Sequence, residues 1–253
     1  MHYLWKLRPV SKRSSLAFGD AMDAGLNALL ETRELGAGTE RFESTWYRYK
    51  DTDIKYSKSD VDEFLVENVE DNKPWWSLHS KGIILLNEFN NQIMPRIKNV
   101  IKVQIDETVP NESGDELVIK TDFICEWEDG RIILFDNKTS SVKYTEDSVR
   151  TSPQLSIYYE TLKEEYKIDA CGYIVIPKRI NKLKEPRARI EVIIDNIDQD
   201  VIDTTLESYD LALKEIKAAN FKPNHKSCIG KYGRCDYHDF CHKGDCSKLE
   251  EKK

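Results

Sequence analysis

At 253 residues the chain has the length of one large domain, or of a domain with appendages. Hydrophobic residues make up 40% and charged residues 33%, enough for a core, and no apolar run approaches the ~20 residues of a membrane span. With no apolar leader at the N-terminus, the expectation is an intracellular protein with no membrane partner. The net charge of −7 excludes a protein that coats nucleic acid non-specifically, and leaves room for an acidic site with local basic surface.

Met1–Ser14 is short and basic, with Lys6, Arg8, Lys12 and Arg13. Leu16–Leu35 carries Leu16, Met22, Leu26, Leu29 and Leu30 at helical spacing and is expected to end near Gly36-Ala37-Gly38. Thr39–Lys73 is polar, with Trp46, Tyr47, Tyr49 and Tyr56 scattered through it and a short helix expected over Ser59–Val66. An ordinary helical lid is favoured there over a base-stacking surface. Pro74–Ile97 reads as a helix, with Leu78, Ile83, Leu86, Phe89 and Ile93 on one side and Trp75 and Trp76 in the core. Asn99–Val109 alternates as a strand.

Val118–Cys125 and Arg131–Phe135 flank the turn signal Glu128-Asp129-Gly130, the pattern of a β-hairpin. Asp122 lies in the first arm, and Asp136 and Lys138 close the second. Residues two apart on a strand share a face, so Asp136 and Lys138 point together, and Asp122 comes opposite them if the arms pair in register. Two carboxylates and an ammonium on one face are costly to desolvate unless a hard cation or a ligand compensates them. The alternative is a solvated strand end.

The polar loop Ser141–Ser152, with Lys143, Tyr144 and Arg150, either meets a phosphate backbone or is merely solvated. Pro153–Lys167 reads as a helix with proline in its first turn, and Ala170–Pro177 as a buried strand. Lys178–Arg189 is the densest basic stretch, with Lys178, Arg179, Lys182, Lys184, Arg187 and Arg189. It is read equally as a DNA guide or as a solvated loop before the strand Arg189–Asp195. Gln199–Ala219 is an amphipathic helix.

Asp122, then Asp136-Asn137-Lys138-Thr139-Ser140, then Gln154-Leu155-Ser156-Ile157-Tyr158 resembles the PD-(D/E)XK nuclease superfamily, and within it the RecB-like branch of phage-type and CRISPR-associated exonucleases. The resemblance runs from about Ser14 to Cys241 and rests on three motif pieces in order. It implies an α/β fold: a central mixed sheet flanked by helices, a restriction-endonuclease-like core, with a cysteine-rich C-terminal appendage. It implies that Asp122, Asp136 and the Asn137 carbonyl hold Mg²⁺ or Mn²⁺, and that Lys138 activates water and stabilises charge on phosphorus. Gln154 and Tyr158, one helical turn apart, would contact the site or the DNA; alone, they are equally a solvated glutamine and a core tyrosine. The branch carries a histidine in F-G-x-x-x-H; here Phe18-Gly19-Asp20-Ala21-Met22-Asp23 puts Asp23 in that place, either as a hard-metal ligand or as a surface carboxylate.

Cys228, Cys235, Cys241 and Cys246 fall close together among glycines, in a segment that burial alone would not fold. The stretch Cys228 to Cys241 resembles the C-terminal cysteine cluster of iron–sulfur RecB-type nucleases, which implies a [4Fe–4S] centre. In those relatives one ligand comes from an N-terminal arm that has no counterpart here, so Cys246 would replace it or the arm is truncated. Structural Zn²⁺, with His225, His238 or His242, and unligated thiols are the alternatives. Cys125 and Cys171 read as buried apolar residues.

The expected organisation is a nuclease-like domain over 1–220 with a helical insertion at about 39–98, then the cysteine-rich segment 221–253. The expected activity is metal-dependent DNA hydrolysis, exonucleolytic, on single strands or duplex ends, in phage-type replication, recombination or repair and with a partner from one of those processes. The alternative is a non-catalytic DNA-binding partner protein that keeps the fold.

Overall fold

The structure is a computed structural model that describes residues 6–110, 114–182, 187–220, 228–230 and 233–251. His225 and Lys184 lie outside the described residues. The N-terminal part contains β1 (Leu7–Pro9), β2 (Lys12–Arg13), α1 (Ser14–Thr32), α2 (Leu35–Tyr47), β3 (Ile54–Lys55) and α3 (Lys73–Gln92). The sheet region follows as β4 (Ile97–Pro110), β5 (Glu116–Trp127), β6 (Ile132–Ser140), α4 (Glu146–Arg150), α5 (Pro153–Tyr166), β7 (Ala170–Pro177), β8 (Glu191–Asp195) and α6 (Gln199–Lys217). The C-terminal segment holds β9 (Ile229–Gly230), β10 (Gly233–Arg234), α7 (His238–Lys243) and β11 (Leu249–Glu251).

The central sheet has the order β4-β5-β6-β7-β8. β4, β5 and β6 are antiparallel neighbours, β6 and β7 run parallel with α5 as the crossover, and β8 returns antiparallel. This is the expected mixed sheet with helical layers. The expected hairpin forms because Glu128-Asp129-Gly130 turns as read. Gly130 sits at φ 91°, where a side chain would be strained, and Asp129 Oδ1 accepts the Arg131 N–H at 3.0 Å.

Alternation along β5 and β6 divides the core. Phe123, Cys125, Trp127, Ile133 and Phe135 pack with α1, α2 and α3, whereas Ile124 and Leu134 pack with Leu155 and Leu162 of α5. The N-terminal helices meet through fully buried rings. Phe18 stands edge-on to Phe42 and Trp46, and Trp46 stacks on Trp75 with centroids 5.7 Å apart. Each such ring contributes roughly 1.5–3 kcal/mol on burial.

Two readings of the sequence need correction. The first helix ends at Thr32, with Arg33 in the left-handed region at φ 58°, and Gly36 and Gly38 lie inside α2. The sequence reads those glycines as a helix stop; Gly38 is instead where the two helices touch. A Cβ at Gly38 would lie 2.9 Å from Leu29 Cβ and 3.0 Å from the Gly25 carbonyl. Ser59–Val66 forms no single helix but two 3-10 turns, Lys58–Asp60 and Glu63–Leu65. They are fastened to α3 by the nearly buried Lys81, whose Nζ is 2.7 Å from Asp62 Oδ2.

The C-terminal segment is tied to the start of the chain. β1 pairs antiparallel with β11, Tyr237 Oη donates to the Leu7 carbonyl at 3.1 Å, and Arg13 reaches Asp236 at 3.3 Å.

Candidate active site

β5 and β6 pair only from Phe123–Phe135 to Glu126–Ile132. Beyond Phe123, β5 continues along β4, and beyond Phe135, β6 continues along β7. The two strands fork there. The next residues on each side of the fork are Asp122 and Asp136, and each is two residues from a side chain, Ile124 or Leu134, that faces α5. The register the hairpin needed is therefore present. The gap also explains the role of Asp122 in the backbone: with no partner strand, the Asn137 N–H donates to Asp122 Oδ2 at 2.6 Å.

Lys138, two residues on, returns to the same face. Its Nζ lies 2.6 Å from Asp136 Oδ2 and donates to Gln154 Oε1 at 3.0 Å. Gln154 Nε2 donates to Asp136 Oδ1 at 3.0 Å and lies 2.9 Å from Tyr158 Oη. Gln154 thus bridges acid and ammonium, and all five side chains Asp122, Asp136, Lys138, Gln154 and Tyr158 converge.

Local sequence sets this geometry. Ser152 caps α5, its Oγ accepting the Leu155 N–H at 3.2 Å, and Pro153 opens the helix. The same Oγ is 2.7 Å from Tyr173 Oη on β7, which pins the helix start over the sheet. The Tyr173 ring in turn lies under Lys138, 5.5 Å from Nζ.

The electrostatics are those of a site short of positive charge. Burial, then the neighbouring Asp136 charge, pushes the Asp122 carboxyl up to about 8. Burial raises Asp136 as well, against the pull of Lys138. Burial opposes the Lys138 charge, but Asp136 outweighs it and the net shift is upward. Asp136 is 4% exposed, and its Oδ2 contact with Lys138 is a charge contact without hydrogen-bond geometry. Both polar atoms of the Asn137 side chain are enclosed and unbonded. Among the described residues no three histidine, cysteine or carboxylate side chains are gathered closely enough for one ion. The acid pair nevertheless fits a hard divalent cation, because two buried carboxyl groups face a single ammonium and Asp136 Oδ2 has no donor besides it.

Asp23, on α1, lies close enough to this pair for the Asp136 charge to act on it. Burial raises its pKa; the Asn27 amide beside it pulls the other way, and the charges of Asp20 and Asp136 add to the rise. It accepts from Gln104 Nε2 at 3.2 Å and lines a cleft of about 560 Å³ with Asp20, Asn27, Arg41, Arg48 and Gln104. Asn27, Gln104, Ser152 and Tyr173 escaped sequence reasoning. Asn27 had a signal, four residues from Asp23 on one helical face. Gln104 looked like any polar residue of an alternating strand.

Three surrounding stretches have partners within the chain. Arg150 is engaged by Asp195 at 2.7 Å, not held ready for a phosphate. Tyr144 packs on Tyr173 with centroids 5.1 Å apart. The basic stretch after β7 is partly drawn onto α3, where Glu88 accepts the Arg187 N–H and Gln92 donates to the Ala188 carbonyl. At the cysteine segment, Cys228 Sγ is 3.7 Å from His242 Nε2, and the charges of Cys235 and Cys228 add to the burial that raises the Cys241 thiol. Cys246 Sγ lies against the Gly244 carbonyl at 3.8 Å.

The family model described as PD-(D/E)XK nuclease superfamily matches residues 1–242. A solved structure named "Crystal structure of SSO0001" is similar with a TM-score of 0.32 and 14% identity, over 81% of this chain and 77% of that chain. No curated protein matches. Among the described residues no helix is long and apolar enough to cross a membrane.

Proposed function

The chain belongs to the PD-(D/E)XK nuclease superfamily, a family of metal-dependent phosphodiesterases, and on that premise we propose that it is a Mg²⁺- or Mn²⁺-dependent DNA exonuclease of the RecB-like branch. The observation that carries the reading is the closed set Asp136–Lys138–Gln154–Tyr158 beside Asp122 at the fork of β5 and β6. The cation, when bound, supplies a Lewis acid to the phosphoryl oxygen. Asp122 and Asp136 hold it, with the Asn137 carbonyl and Asp23 as further oxygen donors.

Lys138 then has a different task from the one it performs alone. Its ammonium, no longer needed to neutralise Asp136, orients a water toward phosphorus and stabilises the charge that develops there. The water oxygen bonds to phosphorus and its proton passes to bulk water, the bond to the leaving sugar oxygen breaks, and that oxygen takes up a proton from bulk water. Gln154 keeps Lys138 and Asp136 in register, and Tyr158 holds Gln154.

The substrate is DNA, as single strands or duplex ends, and the setting is intracellular, in phage-type replication, recombination or repair. Residues 1–220 form the nuclease domain and 221–253 a metal-binding appendage. By the resemblance, Cys228, Cys235, Cys241 and Cys246 would hold a [4Fe–4S] centre there, with Zn²⁺ the alternative occupant, and binding would have to draw them together, since among the described residues they are not gathered around one point. Anaerobically purified protein is expected to be brown with iron present; a colourless, zinc-containing protein refutes the cluster.

The activity is tested with purified protein on end-labelled single- and double-stranded DNA in Mg²⁺ or Mn²⁺, beside Asp136→Asn and Lys138→Ala. Progressive shortening in the wild type that both variants lose is the expected result. Tight DNA binding without cleavage in any divalent metal overturns it in favour of a non-catalytic DNA-binding protein.

A further inference from the structure

Gln104 is the one strand residue near the site whose backbone breaks the rules of a strand. The β4–β5 ladder pairs Val103 with Phe123 and Ile105 with Thr121, and between those pairs Gln104 stands across from Asp122. Gln104 is held at φ 49°, in the left-handed region. A residue that is neither glycine nor asparagine seldom adopts it, and such strain persists only where the surroundings enforce it. The ladder shifts register between Val100 and Lys102, just before this point, yet the Val103–Phe123 and Ile105–Thr121 pairs on either side of Gln104 are in one register. The conformation lets the side chain reach away from β5, where Nε2 donates to Asp23 Oδ2 at 3.2 Å.

A second observation converges on the same carboxylate. Asn27, one turn beyond Asp23 on α1, is 5% exposed, and its amide faces the Asp23 carboxylate, favouring the charged form against burial. It lines the same cleft as Asp23 and Gln104. Gln104 and Asn27 thus hold the Asp23 carboxylate from two elements.

Resting on the nuclease reading above, we propose that Gln104 is a positioning residue: it aims the Asp23 carboxylate of α1 at the cation held by Asp122 and Asp136, and its strained backbone is kept for that purpose. It makes no contact with substrate. It acts through Asp23, as the hydrogen-bond partners of metal ligands generally do, and their loss weakens metal affinity by about 10–100-fold.

The test is a double-mutant cycle read by Mn²⁺ binding, using calorimetry or the free-Mn²⁺ signal in electron paramagnetic resonance, with no DNA present. Glycine tolerates the left-handed conformation and lacks the amide. Gln104→Gly is therefore expected to melt no lower than the wild type without metal, yet to bind Mn²⁺ about tenfold more weakly. In the Asp23→Asn background the same substitution is expected to cause no further loss, because its route is gone. Unchanged Mn²⁺ affinity in Gln104→Gly overturns the inference, as does an equal loss in both backgrounds. The two readings separate cleanly. A coupled loss of Mn²⁺ affinity in a protein that never cuts DNA removes the nuclease assignment and keeps the role of Gln104. DNA cleavage with an uncoupled Gln104 does the reverse.

Discussion

Asp122→Asn separates what the site costs the fold from what it does for catalysis. The Asp122 carboxyl titrates near 4 in the unfolded chain, and in the folded chain burial and Asp136 lift it to about 8. At pH 7 folding must therefore carry a proton onto this group against roughly three pH units, on the order of 4 kcal/mol at ~1.36 kcal/mol per unit. The group shares its shift with Asp136, so about half of that, roughly 2 kcal/mol, is what the neutral amide recovers. Asparagine keeps an oxygen for the Asn137 N–H. The expected result without metal is a melting temperature about 4–8 °C higher than the wild type at pH 7, measured by calorimetry or circular dichroism. In saturating Mg²⁺ the wild type gains stability and the variant does not, since ligand binding to the native state stabilises by about 2.7 kcal/mol at a hundred times Kd. Cleavage by the variant is expected to fall at least about 10³-fold, the loss of several kcal/mol of charge stabilisation. A variant that melts lower than the wild type, or one still stabilised by Mg²⁺, refutes the claim that Asp122 is a strained acid kept for a cation.

Without metal, stability is expected to fall as pH rises from about 4 to about 8, because the folded Asp122 holds its proton longer than the unfolded one. Added Mg²⁺ must then displace that proton, so its stabilising effect is larger at pH 8.5 than at pH 6; equal melting shifts at the two values contradict the assignment. Lys138→Met is expected to slow cleavage about 10²–10³-fold, as loss of a charge-stabilising donor does, and a rate within threefold of wild type counts against its role. Arg150→Ala, whose guanidinium is occupied by Asp195, is expected to leave the single-turnover rate and DNA affinity unchanged; a tenfold weaker DNA complex would restore it as a phosphate contact. Gly82→Ala is expected to lower the melting temperature by several degrees, since a methyl group there overlaps the buried Phe42 ring and overpacking costs about 1–3 kcal/mol.

The sheet and the acid–ammonium set were legible because both depend on period-two alternation and a glycine turn, which are local. Asp122 could be placed opposite Asp136 from spacing alone, once Gly130 fixed the hairpin. What sequence did not carry was anything set by an approach between distant segments. Gly36 and Gly38 looked like a stop because glycine at a helix end and glycine at a helix contact are the same letter, and only the nearness of Gly25 and Leu29 to Gly38 tells them apart. Arg150 looked available because its partner, Asp195, is far along the chain. Gln104 was hidden for a stricter reason: its left-handed φ and its hydrogen bond to Asp23 of α1 belong to the assembled fold, and no residue type announces them.

The fork itself accounts for why this point of the sheet bears the site. If β5 and β6 had stayed paired past Phe123, ladder hydrogen bonds would have closed the space, and Asp122 would not be needed to satisfy the Asn137 N–H. Their divergence opens a wedge that is lined by two backbones yet hard for water to fill. Carboxylates placed in such a wedge are poorly solvated and repel each other, which is why both acids are lifted and why Lys138 folds back onto Asp136 at 2.6 Å. A single ammonium contributes one charge against two carboxylates, with Asp23 close by as a third. A divalent ion would relieve the imbalance at the pair, where Lys138 is the cation in contact. The instability of the empty wedge and its affinity for a hard cation are one quantity seen from two sides, so any substitution that makes the metal-free protein more comfortable at Asp122 must weaken its hold on the metal.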